Sequence, residues 1–404
     1  MSEAACLVTV GIPSFQGERF IAEAIASALA QEVDGLEVIV ADDASDDRTV
    51  EIARGFDDPR LRVLTGETNL GASRNWNRVL DEARGRYVKV MGHDDVLLPG
   101  SLAAEVASLE ADPEVVLVTG PRVIGTERGR RIMLRGNGRL RGKVWGRFAT
   151  REIVRSGANL IGEPCAVLMR ASAAKSVGGF AADAPYSIDL ELWLRLLEQG
   201  SVYVLDEPVA MYRIVSSAWS TQVSASQAED VVRLLRKTRE RRAFDVTDAD
   251  VERGARRARG LARQRRLLYR VLFDRELHQQ LRYLLIGGWN TLFGWIAFSV
   301  LYLLLHAKVN YAIVFVAAYA VSMANAYVGY KYVVFRTSGA LRKEIPRFAL
   351  VYIGALAVNL VAFPWLTRSL GLNPYLSQAI FTVALVICTY IVNKRFSFRQ
   401  EARA

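Results

Sequence analysis

Through the first part of the chain, short apolar runs alternate with segments of mixed polarity. Leu7–Ile12, Leu36–Ala41, Leu61–Leu64 and Tyr87–Met91 are compact runs rich in Val, Leu and Ile, which predicts buried strands. Between them, Phe20–Gln31, Arg48–Arg54 and Arg74–Glu82 carry the pattern of helices. Such alternation predicts an α/β fold with an open sheet, whose ligands lie at the carboxyl ends of the strands. From Tyr283 the pattern changes. Tyr283–Leu305, Tyr311–Tyr330, Phe348–Thr367 and Ser369–Asn393 contain no charged residue. Each is about 20 residues or longer, and at about 1.5 Å rise per residue each reaches across roughly 30 Å of hydrocarbon. Four such runs in succession are rare in soluble folds, so the expectation is an all-α domain of four transmembrane helices.

Between the two regions, Gln227–Arg282 is helical in pattern and crowded with arginine: Arg253, Arg256, Arg257, Arg259, Arg263, Arg265, Arg266 and Arg270. Leu261, Leu267, Leu268, Val271 and Leu272 recur on one side, which predicts an amphipathic helix on a membrane surface. A solvated helix packed on the first domain is the alternative. The expected organisation is a soluble domain over residues 1–222, a basic helical linker over 223–281 and a membrane domain over 282–404, with spans near 283–305, 311–330, 348–367 and 371–393.

Charge sets the orientation. The connection between spans two and three carries Lys331, Arg336, Arg342, Lys343 and Arg347, and the tail carries Lys394, Arg395, Arg399 and Arg403. The two opposite loops carry only Lys308 and Arg368, so the positive-inside rule places both termini and the soluble domain in the cytoplasm, on a multi-pass protein of the inner (plasma) membrane. The formal net charge of +10 comes largely from the linker arginines, which fit anionic lipid headgroups better than nucleic acid. The three cysteines are far apart and lack CxxC spacing, which indicates neither a disulfide framework nor a zinc site. No basic n-region or cleavage site follows Met1, so no signal peptide is expected.

No G-x-G-x-x-G follows the first strand and no Walker loop occurs, which argues against dinucleotide and P-loop readings. Acids stand at the strand ends instead: Asp42-Asp43-Ala44-Ser45-Asp46-Asp47 after the second strand, and Gly92-His93-Asp94-Asp95 after the fourth. Carboxylates there can hold a nucleoside, or a divalent metal that bridges its diphosphate. Asp46 and Asp47, just before Thr49, read more simply as helix caps.

In order and spacing, Ile12-Pro13-Ser14-Phe15-Gln16-Gly17-Glu18-Arg19-Phe20, Ala41-Asp42-Asp43-Ala44-Ser45-Asp46, Asn69-Leu70-Gly71-Ala72-Ser73-Arg74-Asn75 and His93-Asp94-Asp95 resemble the signature of family-2 glycosyltransferases, which have the GT-A Rossmann-like fold. The likeness runs over about residues 7–215. It implies a nucleotide-diphosphate sugar held by Pro13, Phe15, Glu18, Asp43, Arg74, Asp94 and Arg213, with Mg or Mn on Asp94 and Asp95. The family's metal motif is Asp-x-Asp, and Gly92 stands where its first Asp is expected; His93 fills the variable middle position and reads as incidental. Magnesium commonly takes only one or two protein carboxylates, so Asp94 can suffice. The family also places a catalytic carboxylate just before a helix with a Trp-Leu-Arg pattern. Ser187-Ile188-Asp189-Leu190-Glu191-Leu192-Trp193-Leu194-Arg195 fits, after Gly178-Gly179-Phe180, making Asp189 the candidate base and Glu191 the second candidate. Tyr212-Arg213 lies where relatives close a loop over the diphosphate, but Val215 replaces their histidine.

Arg282-Tyr-Leu-Leu-Ile-Gly-Gly-x-Asn290, with Asn325 before Lys331 and Phe335, resembles the GtrA-like four-span family. The two hairpins also resemble each other: Arg282-Tyr283 and Arg347-Phe348 open them, and Lys331-Tyr-Val-Val-Phe335 and Lys394-Arg-Phe-Ser-Phe398 close them, as a parallel repeat would. That family is associated with polyprenyl-linked sugars, which implies a lipid-linked acceptor: polyprenyl phosphate, an anion that needs no base, or the hydroxyl of a lipid-linked glycan, which does. The reading is an inverting transferase acting in cell-surface polysaccharide or glycolipid synthesis. The alternative is a translocator or scaffold whose transferase domain binds nucleotide without turnover. The sequence is silent on whether the chain forms a homo-oligomer.

Overall fold

The computed structural model describes residues 6–183, 185–216, 226–241, 244–305, 309–337, 339–368 and 374–398. Lys308, Arg399 and Arg403 lie outside the described residues, as do the side chains of Val271 and Leu272. The chain divides into two compact units, 1–267 and 268–404.

The first unit opens with β1 (Val8–Ser14), α1 (Ile21–Leu29), β2 (Leu36–Asp42), α2 (Thr49–Arg54), β3 (Leu61–Thr65), α3 (Ala72–Glu82) and β4 (Tyr87–Val90). This matches the alternation read from the sequence, with β1 running two residues further at its end and α3 starting two residues earlier. Then follow β5 (Val96–Leu97), α4 (Ser101–Ala111), β6 (Val115–Thr119), β7 (Arg122–Thr126), β8 (Arg131–Arg135), β9 (Gly142–Trp145), α5 (Gly146–Ser156), β10 (Val167–Arg170), α6 (Ala171–Ser176), α7 (Ile188–Leu196), β11 (Ser201–Val204) and β12 (Ala210–Ile214). An eight-stranded sheet runs β3-β2-β1-β4-β10-β6-β11-β9, and a four-stranded sheet runs β5-β12-β7-β8. The strands β1 to β4 pair in parallel, while β10 enters antiparallel between β4 and β6.

Side chains alternate across the large sheet as strand geometry requires. On β4, Tyr87 joins one core, with Val8, Val10, Ile21, Ile25 and Leu102, while Val88 and Val90 join the other, with Val79, Ile153, Leu192 and Trp193. Helices α1 and α4 thus cover one face, and α3, α5, α6 and α7 the other. Both faces being covered, the strand ends are the surface left open for a ligand.

Two further helices belong to this unit in whole or part: α8 (Gln227–Glu240) and α9 (Asp248–Phe273). Val231, Val232 and Leu235 of α8 and Val251, Ala255 and Ala258 of α9 bury together with Val154 of α5. A Cβ on Gly254 would stand 1.9 Å from the Val154 carbonyl oxygen, so only glycine admits this approach. The expected membrane-surface helix is corrected for its first turns: they pack on α5, because their small residues fit its end closely. Further along, Leu261, Leu267 and Leu268 stay exposed.

The second unit holds α10 (Arg275–Leu305), α11 (Tyr311–Val328), α12 (Leu341–Arg368) and α13 (Pro374–Val392), one helix for each uncharged stretch. By length and composition, one helix among the described residues, Glu276–Leu305, is long and apolar enough to cross a membrane. Helices α11 and α13 each run into a π-helical segment, Gly329–Phe335 and Asn393–Ser397. The aromatic core joins the two hairpins reciprocally. Tyr327 packs on Phe348 with ring centroids 5.5 Å apart, and its counterpart Tyr390 packs on Tyr283 at 5.2 Å. The Tyr327 hydroxyl donates to Glu344 at 2.9 Å, and the Tyr390 hydroxyl to Gln279 at 3.4 Å. Glu344 also holds the buried Lys331 ammonium, whereas Lys394 pairs with the exposed Glu276 at 2.8 Å.

Candidate active site

The ends of β1, β2 and β4 converge. The Asp43 N–H donates to the Ser14 carbonyl at 2.9 Å, tying the β1 and β2 ends together, and the Met91 N–H donates to the Gly11 carbonyl at 2.9 Å, joining β4. Past β1, Phe15 is 45% exposed while Pro13 is buried, which leaves an aromatic face open at a strand end. Gln16 (φ 54°) and Ala44 (φ 63°) both adopt the left-handed conformation, costly for residues with a Cβ. The two loops lock each other there. The Gln16 N–H donates to Ser45 Oγ at 2.9 Å and its side-chain amide to Asp46 at 2.5 Å, while the Glu18 N–H donates to Asp47 at 3.0 Å.

Each acid of the β2 end has separate work. Asp42 accepts from the Ser45 N–H and hydroxyl at 3.0 and 2.6 Å, closing the turn. Asp43 accepts the Leu70 and Gly71 N–H groups at 2.8 and 2.9 Å, fixing the turn that starts α3. Asp47 accepts the Thr49 N–H at 3.0 Å at the start of α2, as a capping acid would, but Asp46 is taken by Gln16 instead. Glu18 accepts the Arg48 N–H at 3.2 Å and is exposed. Arg74, in the first turn of α3, is exposed and has no ionic partner among the described residues.

Asp94 and Asp95 adjoin beyond β4. Burial first, and then the charge of Asp94, push the Asp95 carboxyl well above the usual carboxylate range. Asp95 accepts the Arg213 N–H at 3.1 Å. A Cβ on Gly92 would lie 2.6 Å from Asp94 Oδ1 and 3.3 Å from Asp95 Oδ2, so the Asp94 carboxylate has moved into room that a side chain at 92 would claim. His93 adjoins the β1–α1 loop: a Cβ on Gly17 would stand 3.0 Å from its ring. Among the described residues no group of three or more His, Cys, Asp and Glu gathers as a ligand set. Two adjacent carboxylates of like charge still fit a cation that takes one or two protein oxygens and fills its shell with phosphates and water.

Arg213 is not on a closing loop. It lies within β12, only 2% exposed, and its guanidinium pairs with Glu23 of α1. Strand pairing and that ion pair hold it in place, so the expected clamp over a diphosphate is corrected to a tie between β12 and α1. Glu191 is corrected likewise. It is buried, accepts from Arg195 at 2.5 and 2.8 Å, and pairs with Arg241 at 3.1 Å and Lys237 at 3.5 Å. Two residues apart on a helix, Asp189 and Glu191 face different ways.

Asp189, in the first turn of α7, accepts the Asn159 side-chain amide at 2.9 Å and its neighbour Leu190 N–H at 2.7 Å. Its carboxyl is pushed up to about 7, chiefly by burial and further by the negative charge of Glu163, against the hydrogen bond from Leu190. Glu163 is itself held down at about 2: burial would raise it, but the Arg122 and Arg135 guanidiniums, at 2.5 and 3.2 Å, win. Glu163 also acts on Asp95, so one fixed negative charge is felt by both candidate acids. Trp193 of α7 donates to the Gly162 carbonyl at 3.1 Å and Asn159 to the same oxygen at 2.9 Å, pinning α7 to this loop. Asn159, Glu163, Arg122 and Arg135 were missed in the sequence. The one local signal was the run Asn159-Leu-Ile-Gly-Glu-Pro164, a polar turn between apolar segments.

The Glycosyl transferase family 2 model matches residues 9–178, and the GtrA/DPMS transmembrane domain model matches residues 282–398. An uncharacterized protein of Mycobacterium tuberculosis is 33% identical over 229 residues, 55% of this chain and 71% of the relative. An Escherichia coli protein named UDP-Glc:alpha-D-GlcNAc-diphosphoundecaprenol beta-1,3-glucosyltransferase WfgD is 32% identical over 103 residues, 26% of this chain and 41% of the relative. Among solved structures, TarS of Staphylococcus aureus in complex with UDP-GlcNAc shares the fold, with a TM-score of 0.50 at 16% identity over 85% of this chain and 87% of that one. Strand-end acids, mixed sheet and family matches agree, and the chain belongs to the family-2 glycosyltransferases: it is a glycosyltransferase joined to a GtrA/DPMS transmembrane domain.

Proposed function

We propose that this enzyme transfers a sugar, with inversion, from a nucleotide-diphosphate sugar to a hydroxyl of a lipid-linked glycan at the cytoplasmic leaflet. The observation that carries the reading is Asp189: a half-buried carboxylate at the start of α7, oriented by Asn159 and held near pH 7. A general base works best when its pKa is close to the operating pH, and a phosphate acceptor would have no use for one. The E. coli relative is named for transfer to a sugar on a diphosphate lipid, which supports the same acceptor class here.

On the donor side, exposed Phe15 offers a face for the base, Asp43 has lone pairs left for the nucleoside, and unpaired Arg74 is free to meet the diphosphate. Asp94 is the residue that would hold Mg or Mn, with Asp95 behind it; bound there, the ion supplies Lewis-acid neutralisation of diphosphate charge. Asp189 takes the proton from the acceptor hydroxyl as its oxygen bonds to the anomeric carbon and the bond from that carbon to the diphosphate breaks, the nucleoside diphosphate leaving with the electron pair. In the membrane unit all four helices cross the bilayer, with both termini inside.

The test is transfer of radiolabelled sugar into organic-extractable lipid by membranes carrying wild type, Asp94→Asn or Asp189→Asn. Label lost in both variants supports a hydroxyl acceptor. Label that survives Asp189→Asn, in a product labile to mild acid, would overturn it in favour of polyprenyl phosphate. Nucleotide-sugar binding without any product would point to a translocator or scaffold.

A further inference from the structure

The hairpin formed by β7 and β8 is unlike the rest of the soluble unit. Strand β8 is the outer strand of its sheet, and Ile132, Met133 and Leu134 are 40%, 56% and 47% exposed. Consecutive strand residues point to opposite faces, so this strand is bare and apolar on both sides. An uncovered apolar edge invites association, and soluble proteins blunt or cover such edges. Here the flanks are basic instead. From Arg128 to Arg141 the chain carries Arg128, Arg130, Arg131, Arg135, Arg139 and Arg141 and no acid. Arg128, Arg130, Arg131 and Arg139 are exposed and have no acidic partner among the described residues. Glu127, the nearest acid in the chain, is already held by Arg19 at 2.8 Å and by Ser216 at 3.0 Å.

From this we infer that the β7–β8 hairpin is a membrane-docking element that seats Ile132, Met133 and Leu134 in an anionic lipid leaflet, with its arginines among the headgroups. The arginines call for an anionic partner. The apolar triplet between them calls for one with an apolar interior directly beneath its charges, which a lipid leaflet has and a nucleic-acid backbone lacks. The chain carries its own membrane domain, so a leaflet is always at hand. The root of the hairpin is fixed to the candidate acceptor side, because Arg122 and Arg135 both pair with Glu163. If the acceptor is lipid-linked, as proposed above, docking brings its headgroup to the Asp189 side; the docking itself does not depend on that reading.

Hydrogen exchange on the full-length protein in nanodiscs tests the inference without any activity measurement. Amides of the segment 128–141 should exchange at least about tenfold more slowly in mixed phosphatidylcholine–phosphatidylglycerol discs than in detergent. The protection should weaken in pure phosphatidylcholine discs and at high salt, where headgroup attraction is absent or screened. The variant Arg128→Gln/Arg130→Gln/Arg131→Gln, and separately Met133→Ser, should lose the protection while segments from β1 and β4 exchange as in wild type, which reports intact folding. Equal exchange in anionic discs and in detergent would overturn the inference. So would protection in detergent that grows with protein concentration, the signature of a second copy on this edge, or protection that appears only with added oligonucleotide.

Discussion

At the donor end, Asp47 is held by N–H groups of Glu18 and Thr49; burial alone would raise its carboxyl, but the Thr49 hydroxyl and these amides bring it below the ordinary carboxylate value. At the acceptor end, Asp189 has a backbone donor and an amide too, yet its carboxyl rises to about 7, because burial there is deeper and its charged neighbour Glu163 is of like sign. The fixed acid is a fastener, ionised at every working pH. The acid beside an ion-paired glutamate is poised between two states. The local setting, more than residue type, divides acids held ionised from an acid poised near neutrality in this molecule.

Breaking the donor side should have the largest effect. Asp94→Asn should lower turnover about a thousandfold, in keeping with the several kcal/mol expected where diphosphate charge must be neutralised. Label transfer at saturating acceptor checks it; a loss under tenfold would remove Asp94 from that role.

Next comes the poised acid. Asp189→Asn should cost about a hundredfold and abolish the acidic limb of the rate profile, along which wild type should lose roughly a factor of ten per unit below pH 7. Its stability has a matching sign. The folded state holds the Asp189 proton up to about pH 7 while the unfolded chain releases it near 4, so stability falls as pH rises between these values. Denaturant unfolding of the variant should show less of this decline.

Glu191→Gln separates the two acids of α7 most sharply. It removes the buried carboxylate that Arg195, Arg241 and Lys237 share and should cost about 3 kcal/mol of stability, while turnover per folded molecule changes less than about threefold. Thermal unfolding together with active-site titration measures both, and a Glu191 variant that folds normally but is dead would reverse the assignment. The smallest effect on the rate belongs to Glu163→Gln, although it also leaves the buried Arg122 without its carboxylate and so lowers stability. Removing the like charge lowers the pKa of Asp189, so the acidic limb should move below pH 7 by less than about one unit.

The loops after β1 and β2 were legible because they are local. Pro13 to Phe20 and Asp42 to Asp47 are unbroken stretches whose loops interlock through bonds such as Gln16 to Ser45. The sequence also marks Asp189 as a candidate, as the acid at the start of a Trp-Leu-Arg helix. It could not announce what raises the Asp189 carboxyl. Arg122 and Arg135 face each other across the β7–β8 pair and meet Glu163 from the loop before β10, so the three come from separate parts of the chain and leave no periodic trace. Glu191 and Arg213 misled for the same reason: Lys237, Arg241 and Glu23, which occupy them, lie far away in sequence. The exposed hairpin broke a rule of pattern reading, since Ile132-Met133-Leu134 looks like any short buried strand until its position at a sheet edge is known.

The reciprocal aromatic contacts of the membrane unit have a consequence for biosynthesis. Tyr327, near the end of the first hairpin, finds Phe348 and Glu344 at the start of the second, and Tyr283, at the start of the first, finds Tyr390 at the end of the second. The ring of contacts therefore closes only when the last helix has left the ribosome. Until then Tyr283 has only its neighbours Tyr330 and Phe335 within the first hairpin, while the first unit, synthesised earlier, has every element of its two sheets already in hand. A ribosome stalled before Tyr390 would thus release a finished catalytic half on an unfinished anchor, a substrate for membrane quality control rather than a shortened enzyme.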